Sequence, residues 1–194
     1  MNFRFILLSL WGLIAVNCAT FTEFNPEVKD VVFKNQNPAK SLLVNVRQRV
    51  TINGTLSDVS AKGEENARNR YAYFCRESGL FKEVKTGLDI ADMKLLIESD
   101  NNGDANRLLA FLSGLTLFLI PAYAQDDLNL NFSFRDKNDT IIKEYKRRVT
   151  FNTWIHLILI PLMPFKFPIV EVNDGVESIT RSILDEANRD GIFK

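Results

Sequence analysis

The chain has 194 residues, with 24 Lys and Arg against 24 Asp and Glu, so its formal net charge is zero. It therefore lacks the overall positive charge that is typical of a nucleic-acid-binding protein. Hydrophobic residues make up 46% and charged residues 25%, which excludes a pervasively disordered chain. Two cysteines are too few for a disulfide framework or a multi-cysteine zinc site.

Residues 1–17 are predicted to be an export signal. Arg4 and the amino terminus supply a short positive region, and Phe5–Val16 is a mainly apolar run of twelve residues. That run is shorter than the roughly 20 residues of a membrane-spanning helix. The predicted organisation is therefore a signal peptide, a lipidated N-terminus with a tether over 18–40, and one domain over 41–194.

The run Leu13–Cys18 resembles the lipobox of bacterial lipoproteins, in which the cysteine is acylated and becomes the new amino terminus. It departs from the usual pattern at Ala15, where Leu is common, and at Asn17, where Gly or Ala is common. Looser lipoboxes of this kind are typical of spirochaetes, so the chain resembles a spirochaete-type lipoprotein. The resemblance implies a bacterial cell-envelope location, with lipid on Cys18 as the membrane contact, in either the inner or the outer membrane. The alternative is an ordinary cleaved signal that is cut near Ala19.

The first half of the mature chain has the pattern of a strand, a helix and a second strand. Val44–Ile52 alternates apolar and polar residues and stops at an Asn-Gly turn. Glu64–Phe81 places apolar residues on one helical stripe, and Gly79 suits its C-terminal cap. Ala91–Glu98 alternates again. Val28–Phe33 is a possible short strand within the predicted tether.

The second half has the pattern of a long β-hairpin followed by a helix. Leu128–Arg135 and Thr140–Phe151 alternate around a polar turn, and the charged face of the second strand is predicted to be solvated. Asp174 and Glu177 form a candidate capping box, and Gly191 is a candidate helix stop. The order predicts an α+β two-layer sandwich with an antiparallel or mixed sheet, a long hairpin and two main helices.

Two apolar stretches flank the hairpin. Residues 108–124 and 154–165 contain no charged residue, and the ends of a hairpin meet, so the stretches should be neighbours. Three interpretations are open: interior segments of the core, a patch that dips into the bilayer beside the lipid anchor, or a surface for a partner protein or apolar ligand. Under the second or third, the candidate contact residues are Leu112, Leu115, Leu117, Phe118, Trp154, Leu157, Leu159 and Phe165.

Residues that could support catalysis are few. His156 lies within an apolar run, which favours a structural role, and Cys75 lies on the apolar stripe of the first helix. The segment Glu98–Gly103 has the first half of a calcium loop but lacks the acidic residue at its twelfth position, so a polar turn is predicted. No catalytic residue, metal ligand or cofactor is predicted.

The sequence is compatible with two functions. The first is a membrane-anchored envelope lipoprotein with a non-enzymatic interaction or structural role, with an envelope protein as a possible partner and no nucleic acid. The second is a binding or carrier protein for a lipid or another apolar ligand, which predicts that the two apolar stretches line a cavity.

Overall fold

The computed structural model describes residues 18–28, 31–33, 38–162 and 164–193. The predicted export signal lies outside the described residues. Within the described residues, the seven strands are β1 (Cys18–Asn25), β2 (Ser41–Ile52), β3 (Thr55–Ser57), β4 (Glu83–Thr86), β5 (Met93–Ala105), β6 (Ala122–Asp136) and β7 (Ile141–Ile155). The helices are α1 (Ala61–Glu77), α2 (Arg107–Leu115) and α3 (Pro168–Arg189), with a 3-10 helix at Leu157–Leu162.

All seven strands belong to one mixed sheet with the order β1-β7-β6-β5-β2, and β3 and β4 both pair with the far side of β2. The β2–β5 and β2–β4 pairs are parallel, and the others are antiparallel. The long β6–β7 hairpin stands near the centre. This architecture confirms the predicted α+β class with a mixed sheet and a long hairpin.

One face of the sheet is covered by α1 and α3 and forms the core. Alternate residues of the central strands point to this face because successive side chains of a strand lie on opposite sides. Leu95, Ile97, Phe132 and Phe134 are fully buried there. The Tyr71 ring of α1 meets Phe132 edge to face, with centroids 5.9 Å apart.

Helix α1 has the predicted boundaries to within a few residues. Ser60 is its N-cap and accepts a hydrogen bond from the backbone N–H of Gly63 (3.1 Å). Gly79 follows the helix with a φ of 65°, as the predicted cap requires. The predicted apolar stripe is confirmed, since its members are buried: Ala67, Tyr71, Phe74 and Cys75.

The predicted polar turn at Glu98–Gly103 is wrong, because these residues continue β5. The segment lies between β2 and β6, and both neighbours pair with its backbone: Asn101, for example, is opposite Val50 and Leu128. Hydrogen bonding on both sides therefore outweighs the turn preference of an Asn-Asn-Gly sequence.

The predicted capping box at Asp174 and Glu177 is also wrong. Helix α3 begins at Pro168, so Asp174 lies inside it, and the N-cap residue Phe167 makes no side-chain capping bond. Proline suits the first turn because its missing N–H would have no partner there. Glu171 in the first turn accepts a hydrogen bond from Lys166 Nζ (3.0 Å). The predicted stop at Gly191 is confirmed by its φ of 79°.

Part of the predicted tether is an edge strand of the sheet. Cys18–Asn25 pairs along its length with β7, and Thr20 Oγ1 lies 2.8 Å from Thr153 Oγ1. The possible strand Val28–Phe33 includes residues 29 and 30, which lie outside the described residues. Val28 and Phe33 pack against the core.

A clasp joins the C-terminal end of α3 to β7. Asp190 accepts hydrogen bonds from Lys143 Nζ and from the Tyr145 hydroxyl, both at 2.6 Å. These two bonds hold the pKa of Asp190 below its ordinary value. Burial, followed by the bond to Asp190, raises the pKa of Tyr145.

The clasp predicts a pH dependence of stability. Because the pKa of Asp190 is lowered by folding, its contribution is complete above the ordinary pKa of an aspartate, about 4. The contribution is lost as the pH falls through the lower, folded value. Urea midpoints at about pH 6 and about pH 3 should therefore differ less for Asp190→Asn than for the wild type. An unchanged difference would show that the clasp does not contribute.

Candidate functional site

Three strands of the sheet begin or end level with one another, in a row across one end of the sheet. Strand β1 begins at Cys18, β6 begins at Ala122, and β7 ends at Ile155. Cys18 and Ala122 both pair with Ile155, one from each side. At this end, α2 connects β5 to β6, and the 3-10 helix lies between β7 and α3 along the chain. We call residues 108–121, 154–162 and 164–165 the apolar tip.

The apolar tip exposes a concentration of large apolar side chains. Seven of them are each at least 62% exposed: Leu108, Phe111, Leu115, Leu117, Leu119, Ile158 and Phe165. The interpretation of the two stretches as core segments is therefore wrong for these residues. These side chains are not needed to form the core, because α1 and α3 already cover the core face of the sheet.

The contact residues predicted from the sequence lie together in this tip. Leu112, Leu115, Leu117, Trp154, Leu157 and Phe165 are between 36% and 77% exposed. Phe118 and Leu159 are half-buried. Sequence reasoning missed Leu108, Phe111, Leu119, Ile120 and Ile158, although the same uncharged runs contain them. An apolar run shows which segment leaves water but not which of its side chains faces outward.

The two stretches contact each other, as the hairpin geometry predicts. The backbone N–H of Leu157 donates to the carbonyl oxygen of Phe118 (3.0 Å). His156 Nε2 lies 3.2 Å from the carbonyl oxygen of Leu119, and His156 Nδ1 accepts from the N–H of Ile158 (3.2 Å). Both ring nitrogens thus hold tip backbone, which gives His156 a structural role in the tip.

The turn after α2 has an unusual backbone. Leu117 and Phe118 have φ values of 51° and 64°, in the left-handed region that side chains disfavour. The Phe118 N–H donates to the carbonyl oxygen of Ser113 (2.7 Å), which holds the turn closed. Left-handed residues cost of order 1 kcal/mol each and concentrate at functional segments. The turn leaves Leu117 pointing into solvent.

An aromatic pair marks the base of the tip. The rings of Tyr123 and Trp154 lie 4.8 Å apart. The Tyr123 hydroxyl donates to Asn152 Oδ1 (2.5 Å) and lies 3.0 Å from Gln125 Oε1. The polar end of this pair therefore points to the sheet, while Trp154 remains 43% exposed.

The two thiols differ in environment. Cys75 is fully buried in α1, and burial raises its pKa to about 12, so it stays protonated at neutral pH. Cys18 is half-buried at the first position of β1, and burial raises its pKa as well. Cys18 is consequently the thiol with surface access.

The second face of the sheet is open and polar. Cross-strand pairs alternate the two signs of charge, with Arg47 3.9 Å from Glu98 and Arg49 3.6 Å from Asp100. A cavity of about 490 Å³ on this face is lined by polar residues, including Asn129, Asn131, Lys146 and Arg148. The pairs are solvated, so they contribute little to stability, but they give the face a mixed charge.

Acidic residues near the hairpin serve structural roles. Burial alone would raise the pKa of Asp127, but hydrogen bonds from Thr150 (2.5 Å) and Arg148 (2.7 Å) outweigh it, and the pKa is lowered. Asp136 Oδ1 accepts the N–H groups of Asn138 and Thr140 and shapes the hairpin turn. Across residues 18–28, 31–33, 38–162 and 164–193, no three His, Cys, Asp or Glu side chains are grouped to hold a metal ion.

Two further surface cavities each have about 290 Å³. One lies on the open face beside Asn45 and Arg135, and the other lies between β1 and α3 beside Thr22 and Gly175. None of the three cavities takes a lining residue from 108–124 or 154–165, where the carrier interpretation requires one. In the described part of the chain, no helix is both long and apolar enough to cross a bilayer.

No protein-family model matches the chain, and no curated protein sequence is significantly similar to it. Among solved structures, a homologue of the neuraminyllactose-binding hemagglutinin from Helicobacter pylori is 13% identical, with a TM-score of 0.39 over 84% of this chain and 89% of that chain. A DUF330 protein from Xanthomonas campestris is 12% identical, with a TM-score of 0.36 over 79% and 86%. The PelC dodecamer from Paraburkholderia phytofirmans is 10% identical, with a TM-score of 0.30 over 69% and 80%. Identities and scores this low carry no information on function.

Proposed function

We propose that the chain is a lipoprotein of the bacterial cell envelope, anchored through acyl chains on Cys18, with a non-enzymatic interaction or structural role. The observation that supports the proposal is the position of Cys18 at the start of β1, in the same row as Ala122 and Ile155. Acyl chains there would hold the domain against the membrane by the end that carries the apolar tip. Two or more chains give stable anchoring, whereas one chain gives marginal binding.

The anchor leaves no flexible linker between the membrane and the domain. Cys18 itself pairs with Ile155, and the next two residues, Ala19 and Thr20, are fully buried. The Thr20 N–H also donates to the carbonyl oxygen of Lys166 (3.0 Å). An acylated Cys18 would therefore fix the orientation of the domain as well as its location.

We assign the interaction role to the open polar face of the sheet, which would contact another envelope protein. The strands run away from the row that contains Cys18, so this face lies along the side of an anchored domain. Its side chains carry both signs of charge, and Asn129 is exposed beside the cavity of about 490 Å³. Such a face suits a polar surface of an envelope protein, because mixed charges favour a partner with complementary charges.

Acylation of Cys18 can be tested by labelling cells with radioactive palmitate and by measuring the mass of the N-terminal peptide. We expect label on the wild type and a peptide that begins at an acylated Cys18. Cys18→Ser should lose the label entirely. Cys75→Ala is the matched control and should keep it, because Cys75 is buried in α1. An unlabelled wild type that begins near Ala19 would show an ordinary cleaved signal and would refute the proposal.

A further inference from the structure

We propose that the apolar tip is a second membrane contact, which enters the same bilayer that holds the acyl chains of Cys18. The inference rests on the proposed function, since it takes the membrane at Cys18 as given. It goes further in assigning the tip side chains to lipid. We propose that the bilayer, rather than a protein partner or a second copy of the chain, covers the exposed apolar side chains of the tip.

The position at which the chain enters the domain supports the inference that the tip contacts the bilayer. Residues 1–17 precede Cys18, and Cys18 lies in the row from which the tip extends. The apolar run Phe5–Val16 would thus lead to this same end if it were retained. A chain that is acylated at Cys18, or that retains the apolar run, therefore has its membrane-directed N-terminus and the apolar tip at one end of the sheet.

The hydrogen bonding of the tip backbone fits a site that leaves water. Unpaired N–H groups are costly in hydrocarbon, so a segment that enters it must satisfy them internally. After α2, the N–H groups of residues 116–119 all donate to tip carbonyl oxygens, and that of Ile120 donates to Thr116 Oγ1 (3.2 Å). The N–H groups of residues 157–159 donate to Phe118 and His156.

The side chains of the tip offer a partner little besides apolar surface. Residues 108–124 and 154–165 contain no charge, Ser113 is buried, and the Thr116 hydroxyl already donates to Leu112 (2.9 Å). A protein interface usually forms about one hydrogen bond per 100–200 Å². Lipid hydrocarbon needs none, so it matches this surface better than a protein does.

The base of the tip has the features of a membrane interface. Tryptophan and tyrosine concentrate at headgroup depth, where one end of each ring is apolar and the other is hydrated. The Tyr123–Trp154 pair lies at the junction of tip and sheet, and Lys166 follows the second apolar stretch. We therefore expect the tip to enter the bilayer as far as its base, which places Trp154 near the headgroups.

Trp154 provides a direct test, because it is one of two tryptophans and the other, Trp11, lies in the predicted signal. A Trp11→Phe chain is purified as processed by the cell and reconstituted into vesicles of phosphatidylethanolamine and phosphatidylglycerol. Trp154 fluorescence is then quenched by phospholipid brominated in its acyl chains or by aqueous iodide. A chain with Trp11→Phe, Trp154→Phe and Tyr73→Trp is the control, because Tyr73 is exposed on α1 away from the tip.

We expect brominated lipid to quench Trp154 strongly and iodide to quench it weakly, with the opposite result for the residue 73 reporter. Quenching of Trp154 by iodide alone would overturn the inference by placing the tip in water. Resistance to both quenchers would overturn it by showing a protein cover. Mass spectrometry of the same sample reports acylation of Cys18, so loss of the proposed function is distinguished from failure of the tip. An unacylated chain whose Trp154 stays sensitive to iodide would overturn both.

A second measurement tests whether lipid contact depends on the apolar side chains of the tip or on exposed apolar side chains in general. Phe111→Ser, Leu115→Ser and Ile158→Ser together should lower lipid quenching of Trp154 severalfold, because all three side chains are more than 60% exposed and their loss leaves the core intact. The matched control replaces Leu88, Ile90 and Ile141 by serine, which are exposed near the opposite end of the sheet. Equal effects of the two triple variants would overturn the inference.

Discussion

Phe132→Ala is expected to lower the free energy of unfolding by about 3–5 kcal/mol, the usual cost of removing a buried aromatic side chain. Phe132 is fully buried at the centre of the sheet and meets the Tyr71 ring of α1 edge to face. Its loss would leave a cavity between β6 and α1 that rigid strands on both sides cannot close. Urea unfolding followed by circular dichroism measures the change.

Phe165→Ala is the matched control for that substitution. Phe165 is 77% exposed in the apolar tip, so its removal should change the free energy of unfolding by less than about 0.5 kcal/mol in water. The same substitution is expected to weaken vesicle binding, which Phe132→Ala affects only through unfolding. If Phe165→Ala were as destabilising as Phe132→Ala, the tip would belong to the core and the account of this end of the molecule would be wrong.

Gly175→Ala is expected to destabilise the protein by about 1–2 kcal/mol, although alanine is the better helix former by about 1 kcal/mol. Gly175 lies where α3 crosses β7 and β1. A Cβ atom there would lie 2.9 Å from Phe151 Cε1 and 3.2 Å from Thr22 Cγ2. The Phe151 ring is buried and has little room to move, so α3 would have to shift off the sheet.

Gly114→Ala tests whether helix propensity or close packing decides the outcome. Gly114 lies in α2, and a Cβ atom built there has no atom within 4 Å. This substitution should be neutral or stabilising by up to about 1 kcal/mol. Thermal unfolding of the two variants side by side gives the comparison. A stabilising Gly175→Ala would show that α3 is not held as closely to the sheet as the structure has it.

Much of the fold follows from local patterns in the sequence. The α1 stripe and the β6–β7 hairpin could be predicted because periodicity reports directly which face is buried. Strand β1 and the end of β5 could not, since both owe their structure to pairing with distant strands: Cys18–Asn25 with β7, and Asn101 with β2 and β6. The start of α3 was missed because its N-cap, Phe167, makes no side-chain capping bond.

The candidate site could be predicted only in part. The two apolar stretches and their contact follow from the sequence, since a hairpin joins their ends. Whether they lie in the core could not be predicted, because hydropathy is the same for a side chain that leaves water for protein and one that leaves it for lipid. The strained turn at Leu117 and Phe118 has no local signal, since neither residue favours a positive φ.

Vesicle flotation of a chain of residues 19–194, which lacks Cys18, tests directly whether the tip end of the domain meets the membrane. Removing about 500 Å² of apolar surface from water would contribute roughly 12 kcal/mol before ordering costs. We therefore predict that this chain floats with vesicles of phosphatidylethanolamine and phosphatidylglycerol. The variant with Phe111, Leu115 and Ile158 replaced by serine should stay at the bottom of the gradient. If the unaltered 19–194 chain also stays at the bottom, the tip does not bind lipid by itself and the claim is contradicted.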